Sequence, residues 1–295
     1  MLITQILKEK EGFSLVEMTL ADYFLNEQTR LNEQSARSIA KILFISPSTI
    51  VRFTQKIGFQ GYNEFKDAYL KEIDYLSQNF KEIDPNFPFE AQDKNIVIAN
   101  KLRVLYHEVI DDVLSLMSHD KLQNALSLIK KAETIYVFSL GVQLDVAQVF
   151  KDKMLKIGKN VIIEEKADEI FYRSQFCDEK SIFILISYSG ETETLMRIVK
   201  QLHIRNISML AITTYGENTL SQFASSVLYV SSREKLIENL GSFSMNISVL
   251  FILDILYANI FNEHYDTHYK NRVHASKSFE QYRTTYNPLL KDSEE

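Results

Sequence analysis

The chain is 295 residues long, 45% hydrophobic and 24% charged, enough for about two domains with cores of their own and too ordered a composition for extensive disorder. A net charge of −6 and a single cysteine, Cys177, exclude a basic protein throughout and any disulfide framework, and fit a reducing compartment. The opening MLITQILKEKEGF lacks the layout of a signal peptide. The most apolar stretch, ISVLFILDILYANIF (247–261), is interrupted by Asp254 and Asn259 and reads as too short for a bilayer span. A cytoplasmic location with no membrane partner is expected by elimination.

Residues 1–83 read as helical. Apolar residues recur at helical spacing in MTLADYFL (18–25), SIAKILF (38–44) and STIVRFTQKIGF (48–59). Ser35 is placed to cap a short helix carrying Ile39, Ala40 and Leu43. Ser46 is a second N-cap, and Pro47 suits the first helical position because it has no N–H to leave unpaired. Ile50, Phe53, Thr54 and Ile57 then form one inward face, leaving Pro47, Ser48, Val51, Arg52 and Gln55 on other faces. Two short helices joined by Phe44-Ile45-Ser46 make a helix-turn-helix.

Charge is unevenly distributed. From Ser35 to Lys71, six basic residues (Arg37, Lys41, Arg52, Lys56, Lys66, Lys71) face only Glu64 and Asp67, a local +4. That suits phosphate contact, although a solvated helical surface fits charge alone equally well. A helix-turn-helix that reads DNA puts the start of its second helix at base edges. Arg52 would then address a guanine and Ser48 a base edge or phosphate. Ser46, Thr49, Lys56 and Lys66 would contact phosphates. Plain packing produces the same geometry, so the pattern leaves both readings open.

The segment DPNFPF (84–89) holds two of the four prolines and marks a domain boundary. Two helices are predicted after it, over 96–117 and 122–132. Then β-rich runs alternate with helical ones: TIYVF (134–138), helix 145–158, NVIIEE (160–165), helix 168–176, IFILIS (182–187), helix 193–203, ISMLAIT (207–213) and SVLYV (226–230). Alternation of this kind implies βαβ units and a parallel sheet with helices on both faces.

At the end of the third run stands S187-Y-S-G-E-T192. Ligands bind outside the carboxyl ends of strands in such sheets, and a turn that opens a helix offers N–H groups and a positive dipole end to an anion. Ser187, Ser189 and Thr192 add hydroxyl donors, and Gly190 permits close approach and a left-handed backbone. The alternative is that Ser189 merely caps the helix, which accounts for one hydroxyl and not three.

These residues carry a family resemblance. S-x-S-G-x-T after an apolar strand resembles the second phosphate-binding loop of SIS (sugar isomerase) domains, IYVFSLGVQLDVAQVFKDKMLKIGKNV (135–161) resembles their first strand, loop and helix, and 210–230 resembles their fourth and fifth strands. S-P-S-T-I-V-R-F-x-x-K-I-G-F-x-G-Y-x-E-F-K, preceded by EMTLADYFLNE (17–27), is similar to the DNA-binding domain of RpiR-type regulators. The resemblance implies an all-α helix-turn-helix domain (1–83), a linker and connecting helix (84–117), and an α/β SIS domain (118–286) with a five-stranded parallel sheet flanked by helices. It further implies a transcription factor whose partners are a double-stranded DNA operator and a phosphosugar effector. That effector would lie on Gly141, Gln143, Ser187, Tyr188, Ser189, Gly190 and Thr192. A homodimer through the SIS domain is implied, with pairing into a tetramer left open. No cofactor, metal site or catalytic residue is expected.

Departures from the family pattern are local. The first SIS loop usually reads G-x-S, whereas Gly141 here is followed by Val142, Gln143 and Leu144, predicting a narrower pocket of different shape. Asn239 and Asn246 stand where related regulators would carry arginines. Phe44 occupies a turn position where many helix-turn-helix proteins have glycine, predicting a looser or longer turn. Two other readings stay open on sequence: a ligand-free SIS scaffold, and a phosphosugar isomerase with Glu191, His203 or Glu238 as its base. His264 and His268, four apart, make an incomplete zinc set.

Overall fold

The computed structural model describes residues 3–10, 12–79, 83–280, 285–287 and 289. The chain opens with helices α1 (Ile3–Glu9) and α2 (Leu15–Glu27), a 3₁₀ helix over Gln28–Glu33, then α3 (Ala36–Ile42), α4 (Pro47–Lys56) and α5 (Tyr62–Asn79). They close around an aromatic core. Phe24 lies 6.2 Å from both Phe53 and Tyr62 and 4.8 Å from Phe65, centroid to centroid. Ser14 and Glu17 form a reciprocal capping box at the start of α2. Glu72 of α5 reaches back to accept bonds from the N–H groups of Ile3 (2.6 Å) and Thr4 (2.7 Å), so α1 is held to α5 through its otherwise unpaired N-terminal donors.

Helices α3 and α4 form the helix-turn-helix. The Ser35 side chain caps α3 and the Ser46 side chain caps α4, with Pro47 in the first turn of α4. The joint is neither loose nor extended. Phe44 adopts the left-handed backbone itself, at φ +55°, and the Ile45 N–H closes the turn on the Ala40 carbonyl at 3.0 Å. The tight turn expected of a glycine is therefore retained by a phenylalanine in a conformation that costs a side-chain-bearing residue about 1–2 kcal/mol.

The second domain begins with α6 (Asn95–Leu116) and α7 (His119–Lys131). It continues as β1 (Thr134–Phe138), α8 (Gln143–Leu155), β2 (Val161–Ile163), α9 (Ala167–Phe176), β3 (Ser181–Ile186), α10 (Glu193–Ile204), β4 (Ser208–Thr214), α11 (Thr219–Phe223) and β5 (Ser226–Val230). Helices α12 (Phe243–Glu263) and α13 (Tyr265–Phe279) follow. The five strands are parallel and ordered β2-β1-β3-β4-β5, the architecture the alternating pattern predicted. Every residue of β3 is buried, which explains its unbroken apolar run: a central parallel strand is covered on both faces.

Alternate strand residues feed two cores. Ile135, Val137, Ile182, Ile184 and Leu210 pack with Val113, Ala147, Phe150, Val249 and Leu253, so α6, α8 and α12 cover one face together with α7. Tyr136, Phe138, Phe183, Leu185 and Met209 pack with Ile170, Leu195, Val199 and Leu220, so α9, α10 and α11 cover the other. At 21 residues, α12 exceeds the length read from its sequence and reaches that of a bilayer span. Met245, Val249, Ile252, Leu253, Leu256 and Ile260 nevertheless form its buried stripe in the first core.

Candidate functional site

Strand order reverses between β1 and β3, since β1 leads through α8 to β2 on one side while β3 lies on the other. In open α/β sheets the crevice at such a switch point is where ligands bind. Two loops meet there. Ser139 follows β1 and donates its hydroxyl to the Ile186 carbonyl at 2.8 Å, tying the two strand ends together. Gly141 follows at φ +85°. Gln143 is the first residue of α8, and its amide reaches Asn246 of α12 at 3.5 Å. Two positions that depart from the family pattern thus touch each other.

The second loop is preorganised by its own hydroxyls. Ser187, buried, accepts the Gly190 N–H at 3.2 Å and lies 3.3 Å from the Thr192 hydroxyl. Ser189 accepts the Glu191 N–H at 3.2 Å. It is Thr192, not Ser189, that occupies the N-cap of α10, and its side chain makes no capping bond. Val142 is likewise a non-bonding N-cap of α8. Helix α12 differs, because Glu234 accepts bonds from the Ser244 and Met245 N–H groups at 2.8 and 3.0 Å. Burial pushes the Glu234 carboxyl above the usual glutamate range, opposed by those backbone donors. Of the three helices that follow β1, β3 and β5, α12 carries its own anion, whereas the first turns of α8 and α10 have no side-chain cap.

Tyr188, grouped with the ligand contacts on sequence, has its hydroxyl on the backbone of Glu234: it donates to the carbonyl at 2.8 Å and accepts the N–H at 2.9 Å. Burial pushes the phenol far above its ordinary value, so it acts as a neutral brace between the second loop and the segment after β5. Gly190, at φ +66°, faces Asn218 so closely that an added Cβ would sit 2.1 Å from Oδ1. Asn218 is fixed in turn, accepting the Ser221 N–H at 2.9 Å as cap of α11 and donating to the Thr213 hydroxyl at 3.1 Å.

The segment after β5 also grips the boundary. Arg233, almost fully buried, forms an ion pair with Glu108 of α6 at 2.7 Å and donates to the Ile83 carbonyl at 2.8 Å. Asn86 within DPNFPF accepts the Lys235 N–H through its side chain at 2.7 Å, and its carbonyl accepts the Leu240 N–H at 2.9 Å. The proline-marked boundary is therefore bonded to the 233–240 segment that Tyr188 braces. A cleft of about 810 Å³ also separates the helical domain from the sheet domain, bounded by Phe59, Asp67 and Glu72 on one side and Glu191, Tyr215 and Tyr229 on the other. Sequence reasoning missed Asn86, Asn218, Arg233 and Glu234. Only Asn218 carried a local signal, as a capping residue ahead of Ser221.

In the helical domain Ser46, Pro47, Ser48, Arg52, Gln55 and Lys56 are exposed and Thr49 half-buried. The Ser46 hydroxyl lies 2.7 Å from that of Ser48 and 2.8 Å from that of Thr49. Arg52 has no ion-pair partner among the described residues. Lys56 instead pairs with Glu17 at 2.8 Å and donates to the Gly12 carbonyl, strapping α4 to α2. Lys66 points to the Asn32 carbonyl at 3.4 Å, and Gln55 donates to the Gln60 carbonyl at 3.2 Å.

Each of the three candidate bases is engaged within the chain. Glu191 accepts two bonds from Thr219, at 2.7 Å each. His203 packs edge-on against Phe223 in the last turn of α10, away from the crevice end of that helix. Lys235, hydrogen-bonded to the exposed Glu238, holds its carboxyl below the usual range. His264 and His268 stack edge-on, and no group of three or more potential metal ligands occurs among the described residues.

A helix-turn-helix joined to a sheet of this order defines a two-domain class: a DNA-reading module fused to a sugar isomerase-type domain. Residues 1–75 match the helix-turn-helix domain of the rpiR family, and residues 128–258 match the SIS domain. The chain belongs to the RpiR-type helix-turn-helix transcriptional regulators. It is 26% identical over 253 residues to the Bacillus subtilis HTH-type transcriptional regulator YbbH, itself uncharacterized, covering 85% of this chain and 87% of that one. The Vibrio vulnificus NanR protein, solved in complex with ManNAc-6P, shares the fold over 96% of this chain and 99% of its own, with a TM-score of 0.60 at 19% identity. A putative sugar-phosphate isomerase from Listeria monocytogenes shares the fold over 58% of this chain and 93% of its own, at 14% identity and a TM-score of 0.50.

Proposed function

We propose that this regulator senses a phosphosugar in the crevice between β1 and β3 and reports its occupancy to the helix-turn-helix. The observation that carries the reading is the pair of helix starts at the switch point, α8 and α10, that lack side-chain caps beside Ser187, Ser189 and Thr192. A phosphate placed there would receive backbone N–H and hydroxyl donors together. The bond between Gln143 and Asn246 crosses from the first loop to α12, which supports selection of a particular sugar shape over phosphosugars at large. Occupied carboxylates at Glu191 and Glu238 favour binding over turnover.

In this reading the protein works in the cytoplasm as a homodimer that presents two copies of α4 to a roughly palindromic operator. A thermal-shift panel of hexose phosphates and aminosugar phosphates tests the sensor: the cognate ligand raises the melting temperature in proportion to RT ln(1 + [L]/Kd). Ser189→Ala is expected to weaken that ligand about tenfold or more, through loss of a bond to a charged group, with ligand-free operator binding intact. A panel with no stabilising member favours the scaffold reading, and product formation favours the isomerase. For the DNA half, Arg52→Ala is expected to cost about 1–3 kcal/mol of operator affinity and blur one base position in a footprint. An unchanged footprint would remove Arg52 from the readers.

A further inference from the structure

Phe44 combines two features that its own chain does not explain. Its backbone sits in the left-handed region at φ +55°, where glycine or asparagine is accommodated and an aromatic side chain is disfavoured. Its side chain is 96% exposed, so no burial within the monomer offsets that cost. Lys10, Gln28 and Asn206 share positive φ among the non-glycine residues described, but each is polar and at home in solvent. Exposed Leu15 and Phe279 have ordinary backbones and need no special account.

The place of Phe44 in the fold points to its partner. It stands two residues ahead of Ser46, the cap of α4, and is held there by the Ile45-to-Ala40 bond. Ile42, 52% exposed, precedes it. Helices α3 and α4 on either side of it carry Arg37, Lys41, Ser46, Ser48 and Arg52, and no carboxylate side chain occurs from Gln34 to Asn63. A protein partner would find an apolar spot on a segment whose charged residues are all cations. A DNA duplex would find phosphate contacts around a group suited to the thymine C5-methyl, the one apolar feature that the major groove presents.

We propose that Phe44 is a specificity-determining residue, placed at the mouth of the major groove to contact a thymine methyl at the edge of each half-site. The inference rests on the helix-turn-helix reading of residues 35–57 and goes beyond it by assigning a base to a turn residue. It makes an unusual demand: the residue that glycine would replace with profit to the fold is kept because DNA binding uses it.

The probe is the duplex of about 30 base pairs, room for two half-sites one helical turn apart, that the full-length wild-type chain enriches from a random pool. Phe44→Gly is expected to melt at or above the wild-type temperature, yet bind this duplex about tenfold more weakly. Replacing thymines one at a time by deoxyuracil, which removes only the methyl, should weaken the wild type roughly fourfold at one symmetric position and leave Phe44→Gly unaffected there. Equal affinity of the two proteins, or equal sensitivity to deoxyuracil, overturns the proposal. So does a variant that loses binding and melting temperature together, or one that changes oligomeric state at unchanged DNA affinity. If the wild type enriches no sequence, the DNA-binding reading itself fails and takes the proposal with it.

Discussion

Gly190→Ala is expected to lower the melting temperature and abolish the phosphosugar response together. A methyl group at this position would lie 2.1 Å from Asn218 Oδ1 and 2.3 Å from its Cγ, well inside contact distance. Asn218 has little freedom to yield, because it caps α11 and bonds Thr213. The left-handed backbone adds its own penalty, so a loss of about 2 kcal/mol or more is expected. The companion variant Asn218→Ala should cost about 1 kcal/mol through the lost cap. In the double variant the contacts with Oδ1 and Cγ are gone, while the Cβ of residue 218 still lies 2.8 Å from the new methyl and the backbone penalty stays, so the combined loss should fall short of the sum. Calorimetric melts of the four proteins, with and without the cognate ligand, decide the matter. A Gly190→Ala protein that melts and binds like the wild type would falsify the account of this loop.

Arg233→Ala is expected to have an equally large effect by another route. Arg233 and Glu108 are 2% and 14% exposed at their side chains, so removing the cation breaks an ion pair held in a poorly solvated place, at a cost of about 3–5 kcal/mol. That is a large part of the stability of an ordinary domain. Arg233→Lys separates charge from geometry. It keeps a cation near Glu108 but lacks the fork that also reaches the Ile83 carbonyl. The lysine variant should fold and bind phosphosugar, while operator affinity ceases to depend on the ligand, since Ile83 is where the boundary is gripped. Operator titrations with and without the effector give the answer. Retained ligand dependence in Arg233→Lys would remove Ile83 from the route between domains.

Much of this fold is legible in the residues. SVLYV and TIYVF are strands over the spans read from them, and Ser35, Ser46 and Pro47 begin their helices as their chemistry requires. These features are local: a β-branched run or a hydroxyl before a helical pattern carries its instruction within a few residues. The second loop was visible for the same reason, since Ser187, Gly190 and Thr192 lie within one turn of each other. Long-range partners were not visible. Arg233 meets a carbonyl 150 positions earlier, and Tyr188 a backbone 46 positions later; no periodicity encodes such pairings. On sequence Tyr188 reads as a ligand contact and Lys56 as a phosphate contact; their bonds to the Glu234 backbone and to Glu17 are long-range features that no local pattern carries. Phe44 defeated a rule about side chains at positive φ, which describes a preference that other energies can outweigh.

The bonded boundary has a mechanical consequence. Ile83 and Asn86 are bonded to the segment after β5, and under the proposed function the 18-residue α5 would act as a lever on the reading head. A tilt of about 5° at one end of such a rod, about 27 Å long, carries the other end about 2 Å. Two levers swinging apart across a dyad would change the distance between reading heads by twice that amount, enough to spoil their fit to grooves one turn apart. Under the proposed function, a fraction of an ångström gained or lost around the crevice would become a change of stride along the double helix.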